Sequence, residues 1–277
     1  SNVLSGSGLS SSAAYEVLIG NILNHLCCDN ALDPVEIAKI GQYAENVYFG
    51  KPCGLMDQMG SSVGGAVAID FQDPASPVVR RADYDFSSSG HALCIVDTAS
   101  SHGDLTDDYA DITREMGAVA AYFGQRFLRD VPENDFRAAL PALRKACGDR
   151  AVLRALHYYE DDRRAVEEAD ALAQGDFSRF LALVNESGLS SSLHLQNTWS
   201  ISDPSQQAIP VVLAVGRELL NGTGAIRVHG GGFAGTIQAF VPNEGLASFK
   251  DGMEALLGPG KCHILHIRPQ GGTAIIG

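Results

Sequence analysis

No apolar run in this sequence reaches the roughly 18 residues that a membrane-crossing helix needs. Residues 1 to 8 also lack the basic start and apolar stretch of a secretory signal. A cytoplasmic protein with no membrane partner is the expectation. Positive charge is scarce as well: 20 Lys and Arg stand against 33 Asp and Glu, a net charge of -13. Nucleic acid is therefore not an expected partner, because binding it requires basic residues to neutralise phosphates. Small anions held by local backbone amides stay open, since they do not depend on global charge. The six cysteines show no paired metal-ligand spacing. A chain long enough to bury a sizeable core has no need of disulfides, so reduced thiols are expected. There is no internal repeat and no low-complexity linker.

What is present is an ordinary globular composition, 45% apolar and 19% charged. A helix is expected after the Gly/Ser-rich opening, since Leu18, Ile22 and Leu26 recur at helical spacing. A second runs from Pro34 to Val47, with Asp33 as N-cap and proline at its first position, and Gly50 and Pro52 break it. Gly65 to Phe71 and Ala92 to Val96 read as strands. Helices follow at 107–127, 149–173, 177–185 and 204–220. In the 149–173 helix, Leu153, Leu156, Val166 and Leu172 supply the apolar positions. The C-terminal part alternates as strand 225–228, loop 230–232, strand 236–241, helix 243–257 and strand 263–267, a split β-α-β pattern. A Ser/Gly-rich break at 87–90 marks the expected domain junction.

Three loops carry the chemistry. Gly6-Ser-Gly8-Leu-Ser-Ser-Ser-Ala13 opens a helix. Its glycines allow close backbone approach, and the first helical N–H groups are free donors at the positive end of the dipole. It lacks the Gly-Lys-Ser/Thr ending of a Walker loop and the third glycine of a dinucleotide fingerprint. A flexible Gly/Ser connector is the other reading. Cys53-Gly-Leu-Met-Asp57-Gln58 places a carboxylate just after a glycine turn, where a helix N-terminus favours negative charge; a simple capping aspartate is the alternative. Glu45, twelve residues earlier, lies at a helix end whose dipole it opposes, which hints at a partner such as a metal ion. Val228-His-Gly-Gly-Gly-Phe-Ala-Gly235 is a glycine loop between strands, either a bulged hairpin or a loop lying against a phosphate-bearing ligand.

Together these segments resemble the GHMP kinases, and within them the galactokinases. Gly8 to Ala13 is similar to that family's phosphate loop, and Gly230 to Gly235 to its C-terminal glycine motif. Ala44 to Gln58, with its Cys-Gly-hydrophobic-Met-Asp-Gln run, is the most discriminating part. Val96 to His102, followed by Tyr109, resembles the family's strand-loop-helix before a sugar-contacting tyrosine. The resemblance spans the chain. It implies an α/β (α+β) fold of two lobes, with mixed sheets and packed helices. Residues 1–88 would be the remainder of the N-terminal lobe, and 89–277 the C-terminal lobe, which either keeps its last strand or returns it to the first lobe.

The implied activity is phosphorylation of the anomeric hydroxyl of galactose or a related sugar, with ATP and Mg2+ as cofactors. Gly6, Gly8, Leu9, Ser10, Ser11, Ser12 and Ala13 would hold the ATP phosphates, and Ser12 and Glu45 would stand by the magnesium. Asp57 would be the catalytic carboxylate beside the sugar hydroxyl. Gly54 and Tyr109 would contact the sugar, and Gly230, Gly231 and Gly232 would help close the site. The only implied partner is the small-molecule sugar, for a monomer or weak oligomer. The family's N-terminal run, with an arginine and a Glu-His-Asp cluster, is absent, so the N-terminal lobe is expected to be incomplete. The chain alone is then expected to be a poor kinase, with apolar surface and a sheet edge left uncovered. Ala234 and Thr236 stand where relatives often have glycine and cysteine. A sugar- and ATP-binding regulator, or a kinase for another sugar or sugar acid, are the competing readings. The remaining groups invite plainer readings. His263 and His266 would point to opposite strand faces, His229 would make a structural hydrogen bond, the 160–164 charge run would be a solvated helix face, and Trp199 would be core.

Overall fold

The computed structural model describes residues 10–50, 53–100 and 105–273. The chain divides into two compact units: Ser1–Ser88 with Leu172–Gly175 and His266–Gly277, and Ser89–Ala171 with Asp176–Leu265.

The first unit is built on three helices and a ribbon. Helix α1 (Ser11–Cys27) buries Ala13, Val17 and Asn24. The stripe expected to define it lies on the other side: Leu18, Ile22 and Leu26 are 56%, 43% and 72% exposed. Periodicity reports that a helix exists, while the packing of its neighbours chooses the buried face. Asn24 fastens the following turn, giving its amide to the Leu32 carbonyl at 2.9 Å and accepting the Leu32 N–H at 3.1 Å. Helix α2 (Pro34–Tyr43) opens with a complete capping box between Asp33 and Glu36, with Pro34 at N1. It runs directly into one π-helical turn, Ala44–Tyr48, so the expected helix 34–47 is real but changes its winding before the end. Helix α3 (Met56–Val63) follows. Strands β1 (Ala66–Asp70) and β2 (Val78–Ala82) pair antiparallel as a two-stranded sheet. The β2 strand was not expected, because Val-Val-Arg-Arg-Ala is mostly exposed and shows no alternation to read. Ala38, Leu55 and Met59 form the small core, with Val35, Val63, Ile69, Phe71 and Val79 around them. Arg268 accepts the Gly65 N–H on its carbonyl at 2.7 Å, and the Pro269 carbonyl accepts from Arg81, so residues after 265 complete this unit.

The second unit centres on a four-stranded antiparallel sheet in the order β4 (Ala225–Val228), β5 (Thr236–Pro242), β3 (His91–Asp97), β6 (Cys262–Leu265). Both β5 and β6 run antiparallel to β3 between them, so they are parallel to each other. Joined through α10 (Leu246–Leu257), they form the split β-α-β unit expected from the C-terminal pattern. Helices α9 (Ala208–Leu220) and α10 cover the sheet over a core that includes Val96, Ile209, Leu213, Ile226, Ile237, Phe249 and Met253. A second core, with Phe136, Leu143 and Ala155, joins α4 (Thr106–Tyr122), α5 (Glu133–Ala138), α6 (Leu140–Ala146) and α7 (Asp149–Ala173). The short α5 and α6 were not anticipated, and α4 stops five residues early, at Tyr122, before Gly124 at φ 72°. Helix α7 has the expected bounds, yet Val166 is exposed rather than core. Helix α8 (Phe177–Ser190) runs five residues past its expected end and then into a π turn at Ser191–Leu195. Among the described residues, no helix is long and apolar enough to cross a membrane.

Candidate functional site

In the first unit, Ser10 caps α1 in the left-handed region (φ 53°, ψ 50°) without a side-chain cap bond. A non-glycine residue held there is strained, and such strain gathers at functional loops. The Ala14 N–H donates to the Ser10 carbonyl at 3.1 Å as the first intrahelical bond, so the amides of Ser11, Ser12 and Ala13 precede the ladder. Ala13 is buried and Ser12 exposed. Gly6, Gly8 and Leu9 lie outside the described residues.

Glu45 is carried by the π turn after α2 and is only 4% exposed. Such turns often sit at functional sites. Its Oε2 accepts a hydrogen bond from Gln58 Nε2 at 3.0 Å, and the same nitrogen donates to Glu16 Oε2 at 3.1 Å. Cys53 belongs to the group, since burial first, and a hydrogen bond to Glu45 second, push its thiol up from the ordinary range. Asn46 pins the backbone there, accepting the Cys53 N–H at 2.7 Å. Asp57 sits in the first turn of α3 with its side chain at the surface. A Cβ added to exposed Gly54 would meet nothing within 4 Å among the described residues, so none of these neighbours demands a glycine there.

In the second unit, the loop 230–235 between β4 and β5 is fastened on every side. Gly230, Gly232, Phe233 and Gly235 all have positive φ. The Tyr109 hydroxyl donates to the Gly232 carbonyl at 2.9 Å, and the Asn197 side chain donates to the Gly231 carbonyl at 3.0 Å. The Phe233 N–H donates to the Asn197 carbonyl at 2.5 Å, and the Phe233 ring meets Tyr109 edge to face. Thr98 and Ser100 hold Gly235: the Thr98 hydroxyl donates to its carbonyl at 2.7 Å, and its N–H donates to Ser100 Oγ at 3.0 Å. Burial, and then the Asp108 carboxylate, push the Tyr109 phenol up, so it stays protonated at neutral pH. His229 Nδ1 lies 3.0 Å from Gln238 Oε1, a structural hydrogen bond.

The GHMP kinases N terminal domain matches residues 1–65. The galactokinase of Mannheimia succiniciproducens is 33% identical over 249 residues, which is 88% of this chain and 60% of that protein. In three dimensions, a galactokinase from Lactococcus lactis, solved in complex with galactose, superposes with a TM-score of 0.73 at 20% identity, over 99% of this chain and 69% of that one. A mevalonate kinase from L. major follows at 0.59 and 15% identity, over 95% and 66%.

Residues 1–65 match a GHMP kinase N-terminal domain, and the chain is galactokinase-like over 88% of its length.

Its fold is that of the Lactococcus lactis galactokinase. The chain spans 60% of the length of the curated galactokinase it matches. Three positioning residues were not anticipated: Glu16 and Gln58 in the first unit and Asn197 in the second. Each reaches its partner across the chain, 42 residues from Glu16 to Gln58 and 34 from Asn197 to Gly231, so no local pattern announces them. Among the described residues, no group of three or more His, Cys, Asp or Glu side chains is arranged as a metal site. Magnesium is commonly bound by one or two carboxylates with waters and nucleotide phosphates completing its shell. The hydroxyl of Ser12 and the buried carboxylate of Glu45 are donors of that hard-oxygen kind, so these residues fit the ion.

Proposed function

We propose that the protein carrying this chain transfers the terminal phosphoryl group of ATP to the anomeric hydroxyl of galactose or a closely related sugar. The likeness to galactokinase along 88% of the chain carries this reading. The amides from Gly6 to Ala13 bind the ATP phosphates at the positive end of α1. Ser12 and Glu45 hold magnesium, which when bound neutralises phosphate charge.

The chain's own residues do the rest by positioning. Asp57 accepts the proton of the anomeric hydroxyl as that oxygen attacks phosphorus, or holds the oxygen electrostatically while the proton leaves. Its exposure at a helix start supports this role, since a carboxylate there is open to a ligand and stabilised by the dipole. The open space about Gly54 supports close approach of the sugar to the backbone. Tyr109 donates its O–H in a hydrogen bond to the Gly232 carbonyl, and its oxygen lone pairs can accept from a sugar hydroxyl. The clamped 230–232 loop is rigid, which suits a wall closing on a substrate.

The test is sugar-dependent ADP release by the full-length protein containing this sequence, comparing galactose with its epimers and with sugar acids. Galactose-dependent turnover that disappears without magnesium is expected. Turnover with another sugar and none with galactose, or no sugar dependence at all, would overturn the assignment.

A further inference from the structure

Glu16 and Gln58 are left unused by that reading, yet their side chains meet across 42 residues of the first unit. Gln58 is 1% exposed, and one amide nitrogen serves both Glu16 Oε2 and Glu45 Oε2 at 3.1 and 3.0 Å. An amide nitrogen has two hydrogens, enough for both carboxylates, and Cys53 Sγ lies 3.6 Å from the same nitrogen as a weaker third acceptor. The chain leaves room for this arrangement at Gly41, where a Cβ would stand 3.3 Å from Glu16 Cβ and 3.4 Å from both Gln58 Cγ and Glu16 Oε2. The elements carrying Glu45 and Gln58 are tied together independently: Ser62 on α3 donates to the Pro34 carbonyl at 2.6 Å, and Gln42 and Asn46 donate to the Cys53 carbonyl at 3.2 and 3.3 Å. Glu16 also lies four residues after Ser12 on α1, hence on the same helix face.

We propose that Gln58 is the positioning residue of the cation site, fixing the Glu45 carboxylate through one N–H while its other N–H holds Glu16 as a second negative charge beside it. A divalent cation held by Glu45 then has the Glu16 carboxylate close by as a second hard-oxygen group of negative charge. The effect is to bind cation occupancy to α1, the helix whose start carries the candidate phosphate loop. The inference rests on the magnesium-nucleotide reading above and adds to it the residues that orient the metal-binding carboxylate.

The experiment is a titration of Mn2+, as the magnesium surrogate, into the protein with ATP, read by electron paramagnetic resonance. ATP binding is measured in parallel in the presence of EDTA. Loss of an outer partner of a metal ligand commonly costs about 10–100-fold in affinity. Gln58→Met is expected to weaken Mn2+ at least about tenfold while metal-free ATP binding stays within twofold. Glu16→Gln, which keeps an acceptor for Gln58 and removes only charge, is expected to weaken Mn2+ several-fold with an unchanged melting temperature. It keeps the proposal testable if Gln58→Met fails to fold. Variants that bind Mn2+ as tightly as the parent would overturn this inference alone. Parent protein that binds no manganese nucleotide would overturn the reading beneath it, and this one with it.

Discussion

The Tyr109 ring occupies the space that a side chain on Gly231 would need, for a Cβ there would come within 2.7 Å of Tyr109 Cε1. The same tyrosine donates to the Gly232 carbonyl, so ring and hydroxyl hold adjacent residues of one loop. Tyr109→Phe keeps the ring and loses the hydrogen bond, at an expected cost of about 1 kcal/mol. Gly231→Ala displaces the ring as well, and should cost more, about 1–3 kcal/mol. Urea unfolding of both variants checks the order. A Gly231→Ala protein more stable than Tyr109→Phe would show that the ring is not the constraint.

Asp57→Asn keeps the shape of the side chain and removes its charge. Turnover is expected to fall by about 10²–10⁴ while ATP binding survives. Steady-state kinetics and calorimetry on the full-length protein separate the two quantities. Near-normal turnover would remove Asp57 from the chemistry, and loss of ATP binding too would make it structural.

Glu168 on α7 is pushed up to about 7, first by burial, with Asp161 adding to the rise and Arg227 and Arg164 opposing it. The unfolded chain, with an ordinary carboxyl, releases this proton near 4.5. Between about 4.5 and 7 the folded state therefore binds the extra proton, and this group's contribution to stability falls as pH rises. Glu168→Gln should raise stability at pH 8 by up to the order of 2–3 kcal/mol and change little at pH 4.5. His157, on the same helix, is held below its ordinary range by burial, so its own cost appears in the opposite direction, as pH drops below about 6.5. Melting curves across pH 4.5–8 provide the check. A Glu168→Gln protein with the parent's pH profile would contradict it.

Arg154 is 1% exposed, donating to Glu115 at 3.0 Å and to the Leu195 carbonyl at 3.2 Å. Arg150 also holds Glu115, at 2.5 Å, and reaches Asp111 at 2.9 Å. Arg154→Ala leaves a cavity and an unanswered carbonyl, so about 3 kcal/mol should be lost even though Glu115 keeps Arg150. Arg154→Lys should recover only part of it, because an ammonium cannot reach both partners in the fork geometry of a guanidinium. Equal stability of the alanine variant in chemical denaturation would refute the role.

Local information was enough for much of this molecule. The Asp33-Pro34-x-Glu36 start of α2, the bounds of α7 and the split β-α-β order all follow from residues a few positions apart, because caps and periodic faces act within one or two turns. The helix starts that carry Ser12 and Asp57 and the loop that carries Gly231 fall where the glycine and serine runs placed them, because such runs at helix and strand ends have few conformational uses. Tertiary structure alone decided the rest. It turned Leu18, Ile22 and Leu26 outward, paired β2 with β1, and wound Glu45 into a π turn. It brought Gln58 to Glu16 and Glu45, and Tyr109 to Gly232, 123 residues away. A side chain's spacing in sequence limits what it can meet within its own helix or strand. What it meets beyond that depends on which surfaces are buried together, and packing chooses those for the whole unit at once.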